Sequence, residues 1–315
     1  MRILFMGTPD FAVPCLNALV EHGYDIAAVV TQPDRKKGRK GELTPPPVKV
    51  AALQHNLTVL QPEKVRTEDA LAEIEQLDFD LLITAAYGQL LPKRLLDLPR
   101  LGCVNVHASL LPRWRGGAPM HRAILEGDKE TGVTIMRMVQ ALDAGDMISQ
   151  VVVPIAEDDT VATLHDKLAA AGSQLLIETL PSIEAGTQTE TAQDESLVTY
   201  SPTLKREDEK IDWQQDARRL YNQVRGLNSW PGAFTYFSHK VMKIWQARIQ
   251  EETGAPTAEP GTILSTTDDS IIVQCGQGRL ALTEIQPAGK RRMAVSDYLR
   301  GVQLEPGTRF TTEEE

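Results

Sequence analysis

Cysteine is scarce and scattered in this chain: Cys15, Cys103 and Cys275 are the only three in 315 residues, and no Cys-x-x-Cys pair occurs. A disulfide framework and a cysteine zinc site are therefore not expected, and buried free thiols are. No apolar run approaches the roughly 18 residues of a membrane-crossing helix. The opening Met1 to Gly7 is too short for the apolar core of a secretory signal and runs straight into polar turn residues. A cytoplasmic protein with no membrane partner is expected. Positive charge is also in deficit, and a formal net charge of −10 argues against coating nucleic acid by bulk charge. The fingerprints G-x-G-x-x-G and G-x-S-x-G are missing, and no His-x-x-x-His or clustered acid pattern accompanies Asn105, His107 and Asp143. Their absence removes support for a dinucleotide site, a serine hydrolase built on Ser109 and a metal-assisted reaction, so no metal is expected.

What is present is an ordinary globular composition, 42% hydrophobic and 24% charged, in a chain long enough for two domains. Arg2 to Met6, Ile26 to Thr31 and Phe79 to Ala86 read as strands covered on both faces, because their apolar residues run on without alternation. Segments of helical pattern separate them: Phe11 onwards behind Asp10, then Val48 to His55 and Thr67 to Leu77. The default is an α/β fold around a mostly parallel, Rossmann-like sheet. Between Asp34 and Pro45 the chain departs from compact connections and carries Arg35, Lys36, Lys37, Arg39 and Lys40 against one acid, Glu42. Gly38 and Gly41 loosen this stretch and Pro45-Pro46-Pro47 stiffens its exit, which predicts a basic flap on a rigid base.

The most informative stretch runs from Cys103 to Pro119, Cys-Val-Asn-Val-His-Ala-Ser-Leu-Leu-Pro-Arg-Trp-Arg-Gly-Gly-Ala-Pro. Its first five residues read as a buried strand. Asn105 and His107 lie two apart and so leave one side of it, at the carboxyl end where open α/β sheets place ligands. A lone Asn-x-His is also compatible with a turn-satisfying amide and an ordinary hydrogen-bonded imidazole. Strands over Gly132 to Met138 and Ile148 to Val153 then flank a turn containing Leu142-Asp143-Ala144-Gly145-Asp146, and Thr160 to Ile183 follows as a long helix.

Asn105, His107, Ser109-Leu110-Leu111-Pro112, the glycines Gly116 and Gly117, Pro119 and, further on, Asp143 together resemble the signature of the folate-dependent formyltransferases. The resemblance implies a Rossmann-like formyltransferase domain, with Asn105, His107 and Asp143 catalytic and 10-formyltetrahydrofolate as formyl donor. It also implies that Ser109, Leu110, Leu111 and Pro112 meet the pterin. Chemically the set makes sense. Formyl transfer to an amine develops negative charge on the carbonyl oxygen while the amine loses a proton. Asn105 can donate to that oxygen, and an imidazole, which changes charge near neutral pH, can relay the proton. Asp143 suits three roles: orienting the imidazole, stabilising its charged form, or holding a water.

Residues 187–206 change to a Gly, Thr, Gln, Glu, Asp, Ser and Pro composition with little apolar periodicity, which reads as a linker between domains at 1–186 and 207–315. Few contacts are expected across it. Behind it a helical segment, Gln214 to Leu227, precedes closely spaced strand candidates at Ala233–Phe237, Val241–Ile249, Thr262–Ser265, Ile271–Cys275 and Leu280–Gln286. Short strands with glycine turns suggest a small barrel, and the resemblance implies an OB-like C-terminal domain that binds tRNA. The acceptor expected on this reading is the methionyl amine of initiator methionyl-tRNA. The basic run Arg35, Lys36, Lys37, Arg39 and Lys40 would contact its phosphates, and Phe11 would contact the methionyl group. A sugar amine or glycinamide ribonucleotide is the alternative acceptor, and a catalytically silent tRNA-binding relative the alternative class. Trp213, Trp230 and Trp245 are expected to serve the barrel core rather than base stacking. A monomer is expected.

Overall fold

The computed structural model describes residues 1–38, 41–250 and 256–313, and they form two compact units. The first comprises Met1–Pro119, Glu130–Pro154 and His165–Ser201. Its strands are β1 (Arg2–Gly7), β2 (Asp25–Val30), β3 (Arg35–Lys37), β4 (Glu42–Thr44), β5 (Val59–Leu60), β6 (Leu81–Ala85), β7 (Cys103–His107), β8 (Arg115–Gly116), β9 (Glu130–Arg137), β10 (Met147–Pro154) and β11 (Tyr200–Ser201). A seven-stranded sheet runs in the order β10-β9-β7-β6-β1-β2-β5. Strands β7, β6, β1, β2 and β5 are parallel, while β9 at one side runs antiparallel to both of its neighbours, β7 and the edge strand β10. Ile3, Leu4, Phe5 and Met6 are all fully buried, which explains the unbroken apolar run of β1. The β6–β7 register sets Thr84 opposite Asn105, one residue row ending at the carboxyl side of both strands.

In the described part of the basic stretch, β3 and β4 pair antiparallel, with Arg35 opposite Thr44, so the two sides of the expected flap form a β-ribbon. Its base is anchored by Asp34, whose carboxylate accepts from Gln61 at 2.8 Å and from Lys49 at 2.9 Å. Those two partners hold the Asp34 carboxyl below its usual range. Arg35 reaches Glu63 at 2.9 Å.

Residues 187–201, polar in composition, are likewise ordered. Thr191 exchanges backbone hydrogen bonds with Met147, and β11 adds in parallel to β8. Apolar periodicity could not announce this segment, because hydrogen bonds rather than hydrocarbon hold it to the first unit.

The second unit comprises Met120–Lys129, Ile155–Leu164 and Pro202–Glu315. Spatial division therefore does not follow sequence division: two stretches from before residue 187 cluster with the C-terminal residues. Leu125 joins the C-terminal core, Arg122 pairs with Asp208 at 2.9 Å, and Arg225 donates to the carbonyls of Ala156 and Asp159. Strands β12 (Ala233–Phe237), β13 (Lys240–Gln250), β14 (Ile263–Thr266), β15 (Ile271–Gln274) and β16 (Arg279–Pro287) form an antiparallel sheet. Its order is β12-β13-β16-β15-β14, with β17 (Met293–Ala294) paired to β16.

Among the described residues no strand pairing joins the edges β12 and β14. Residues 308–311 bridge them instead. Ile263 donates to the Thr308 carbonyl at 2.8 Å, and Tyr236 and Thr311 exchange hydrogen bonds at 2.9 Å. Phe310 anchors that segment, fully buried, stacked on Trp213 at 5.7 Å and tilted against Phe237 at 5.1 Å. Phe310→Ala is expected to cost about 3–5 kcal/mol, the usual loss for emptying a buried aromatic site, read as a shift in the denaturant midpoint. An unshifted midpoint would mean the closing segment contributes nothing. Of the tryptophans expected in the barrel core, Trp213 and Trp245 are buried, whereas Trp230 is 67% exposed.

Candidate active site

β7 positions the site. Its Asn105 Oδ1 accepts a hydrogen bond from Thr84 Oγ1 at 2.7 Å, made possible by the β6–β7 register. A hydroxyl has one proton to give, and the other contacts of the same oxygen, 3.3 Å to the Val104 carbonyl and 3.2 Å to the weakly accepting Met138 Sδ, are the weaker claims on it. With Oδ1 turned to Thr84, the amide NH₂ faces the other way. Among the described residues it makes no hydrogen bond.

His107, two residues on, is 6% exposed. Its Nε2 lies 2.9 Å from the carbonyl oxygen of Trp114, which can only accept, so Nε2 carries the hydrogen. Trp114 sits at φ +64°, a left-handed conformation that turns the peptide toward the imidazole. Ser109 secures the same turn by donating to the Arg113 carbonyl at 2.7 Å. Nδ1 then bears the lone pair, 3.7 Å from Asp143 Oδ2. That separation is too long for a hydrogen bond and short enough for strong attraction once the ring is protonated. Of the three roles open to Asp143, orienting the imidazole falls to the Trp114 carbonyl instead.

Asp143 Oδ2 accepts the Gly116 N–H at 2.8 Å, and Asp143 itself has φ +47°. Two glycines make this approach possible. At Gly116, φ is +119° and a Cβ would sit 2.7 Å from the Ser201 carbonyl oxygen; at Gly145 a Cβ would overlap the Arg137 carbonyl at 1.9 Å.

The turn after His107 is largely committed to internal bonds. Thr134 Oγ1 donates to the Ser109 carbonyl at 2.7 Å and accepts from Leu111 N at 3.2 Å, and Gln150 donates to the Leu111 carbonyl at 2.9 Å. Ser109 and Leu111 are buried, whereas Leu110 and Pro112 keep part of their surface. Phe11 is buried edge-on to the ring of His165 at 6.0 Å. Arg39 and Lys40 lie outside the described residues, as does the Lys37 side chain, and Lys36 is exposed. The structure thus brings Asn105, His107 and Asp143 together.

It adds residues that sequence patterns passed over: Thr84, Thr134, Arg115 and Gln193. Thr84 had a faint signal as the one hydroxyl between Leu81 and Ala85, whereas Gln193 had none. Burial pushes all three thiols up to about 12, which leaves Cys15, Cys103 and Cys275 as inert protonated groups. Among the described residues no group of His, Cys, Asp and Glu is gathered as metal ligands, and no helix is long and apolar enough to cross a membrane.

An amide donor, an imidazole and a carboxylate at the carboxyl end of a parallel strand suit acyl-type group transfer, and the chain belongs to the formyl transferase family. Residues 1–180 match the family described as Formyl transferase, and residues 203–303 match the Formyl transferase C-terminal domain. Among its relatives are the methionyl-tRNA formyltransferase of Bacillus subtilis (strain 168), 56% identical over 97% of this chain and 96% of the relative, and that of Bacillus licheniformis, 54% identical over 100% and 99%. The fold is shared with a solved N-formyltransferase from Helicobacter canadensis, in complex with folinic acid and dTDP-3-aminofucose. That structure is 16% identical with a TM-score of 0.69, covering 91% of this chain and 99% of its own.

Proposed function

We propose that this chain transfers the formyl group of 10-formyltetrahydrofolate to the amino group of the methionyl moiety on initiator methionyl-tRNA, giving formylmethionyl-tRNA for translation initiation. The observation that carries the chemistry is the Asn105 amide, whose oxygen is occupied by Thr84 while its N–H donors are uncommitted. As the amine nitrogen bonds to the formyl carbon, charge grows on the formyl oxygen and Asn105 donates to it. His107 Nδ1 takes the proton the amine loses, and Asp143 stabilises the imidazolium across the 3.7 Å gap. The bond from the formyl carbon to folate N10 then breaks, and N10 leaves with the proton that His107 Nδ1 took from the amine, which returns the imidazole to its neutral form. Leu110 and Pro112 offer the part-exposed apolar surface expected beside a pterin, while Ser109 and Leu111 support that surface from within.

The acceptor is assigned by the relatives' names and by the chain's full overlap with them. Phe11 as the methionyl contact, the basic hairpin and the C-terminal residues 207–315 as tRNA contacts, residues 1–186 as the catalytic domain, a cytoplasmic location and a monomeric state complete the reading. Its direct test is formyl transfer to methionyl-tRNA compared with glycinamide ribonucleotide and a nucleotide-linked sugar amine. Product on a small amine alone would overturn the acceptor.

The hairpin has its own test. Replacing Arg35, Lys36, Lys37, Arg39 and Lys40 together by alanine is expected to weaken tRNA binding. It should also flatten the log–log salt dependence by about 0.7–0.9 for each phosphate no longer neutralised, because fewer counterions are released. Folate affinity should stay unchanged. Parallel salt lines of equal affinity would return the hairpin to a solvated surface feature.

A further inference from the structure

Gln193 lies in the polar stretch that composition reads as a linker, yet it is buried and its side-chain amide is spent on the Asp143 turn and its support. The amide NH₂ donates to the Asp143 carbonyl and to the Gly145 carbonyl, each at 2.8 Å. The amide oxygen accepts from Arg115 Nε at 2.9 Å. Arg115 is itself buried and is fixed twice over. Its backbone N–H donates to the Thr199 carbonyl, and its guanidinium pairs with Glu195 at 2.8 Å. The next residue, Gly116, holds the Asp143 carboxylate. Backbone and side chain of Asp143 are thus gripped by one strap, the carbonyl through Gln193 and the carboxylate through β8. Aspartate tolerates the left-handed conformation better than most residues, and here the contacts on both its backbone and its side chain hold it there.

We propose that Gln193, supported by Arg115, is a positioning residue for formyl transfer: it locks the turn that sets Asp143 opposite His107 Nδ1. The inference rests on the role proposed for Asp143 in the reaction. It makes residues 193–201 part of the active site's supporting shell, whose looseness costs rate rather than binding.

The test uses the full chain. Gln193→Glu keeps the length and an acceptor for Arg115 but turns the one NH₂ that donates to two carbonyls into a single oxygen facing both. Gln193→Ala removes the contacts altogether. Both are expected to lower kcat about 10- to 100-fold, the scale of a misplacement near 1 Å, with KM for the formyl donor and for methionyl-tRNA hardly moving. In an Asp143→Asn background, which preserves an acceptor for Gly116 N–H, Gln193→Glu should add little, because both act through one group.

If Gln193→Glu kept wild-type kcat, Gln193 would serve only to satisfy Arg115 and the proposal would be wrong. Effects that multiply with Asp143→Asn would overturn it equally. Full activity in Asp143→Asn alone would instead remove Asp143 from the mechanism, a different failure. Should Gln193→Ala fold poorly, the near-isosteric glutamate still decides.

Discussion

Asn105→Ala is expected to lower kcat by about 10²–10³-fold, the usual loss when one preorganised oxyanion donor is removed, while leaving folate affinity almost intact. The reason is differential: the amide N–H groups meet little charge in the bound formyl group and much more as the oxygen becomes anionic. His107→Ala should fall within about 10²–10⁴-fold, the range of a positioned acid–base group. Asp143→Ala should follow it with a smaller loss, since 3.7 Å separates the carboxylate from the ring. Thr84→Val is the subtler probe. It keeps shape and removes the hydroxyl that holds Asn105 Oδ1, so the amide is free to rotate; kcat should drop with KM unchanged. Purified, folded variants with unaltered kcat would dismiss the corresponding residue, and an active Thr84→Val would mean the amide is oriented by something else.

Truncation is expected to show the second large effect, and its position matters. A linker read from composition makes Asp194 a natural place to cut. The structure argues against that choice. A chain ending at Asp194 loses the Thr199 carbonyl that receives Arg115 N–H, the Thr199 hydroxyl that receives Trp114 N–H, and the Ser201 carbonyl that receives Gly117 N–H. Trp114, whose carbonyl orients His107, and Gly116, whose N–H holds Asp143, are the residues left unsupported. A chain ending at Ser201 keeps all of these.

We expect the Asp194 chain to turn over more slowly than the Ser201 chain by about 10²-fold or more, again the scale of a small misplacement, when both are assayed at high methionyl-tRNA concentration. Both should bind tRNA less tightly than the whole chain. Both should also be less stable than it, because Leu125 loses the C-terminal core and Arg122 loses Asp208. Equal turnover of the two truncated chains would show that residues 195–201 do not support the site.

By itself the sequence determined the elements that hydrocarbon patterning controls. The strand Cys103–His107, the long helix Val161–Ala185 and the five C-terminal strands were placed to within a few residues, because burial on a strand or one helix face imposes a period the chain cannot hide. Through its resemblance to the folate-dependent formyltransferases, carried by the N-x-H strand end, Ser-Leu-Leu-Pro and a later Asp, it also singled out Asn105, His107 and Asp143. Three things were decided only in three dimensions. Thr84 meets Asn105 through sheet register, a pairing between residues 21 apart that no local pattern encodes. The His107 ring is set by a backbone carbonyl, and every residue carries one of those, so no side-chain identity points to it. The polar stretch 187–201 looks like a linker because hydrogen-bonded burial leaves no apolar period, yet Gln193 and β11 are built into the site it seemed merely to leave. Apolar contacts write themselves into composition; directional polar contacts between distant segments appear only when the fold brings donor and acceptor to within about 3 Å.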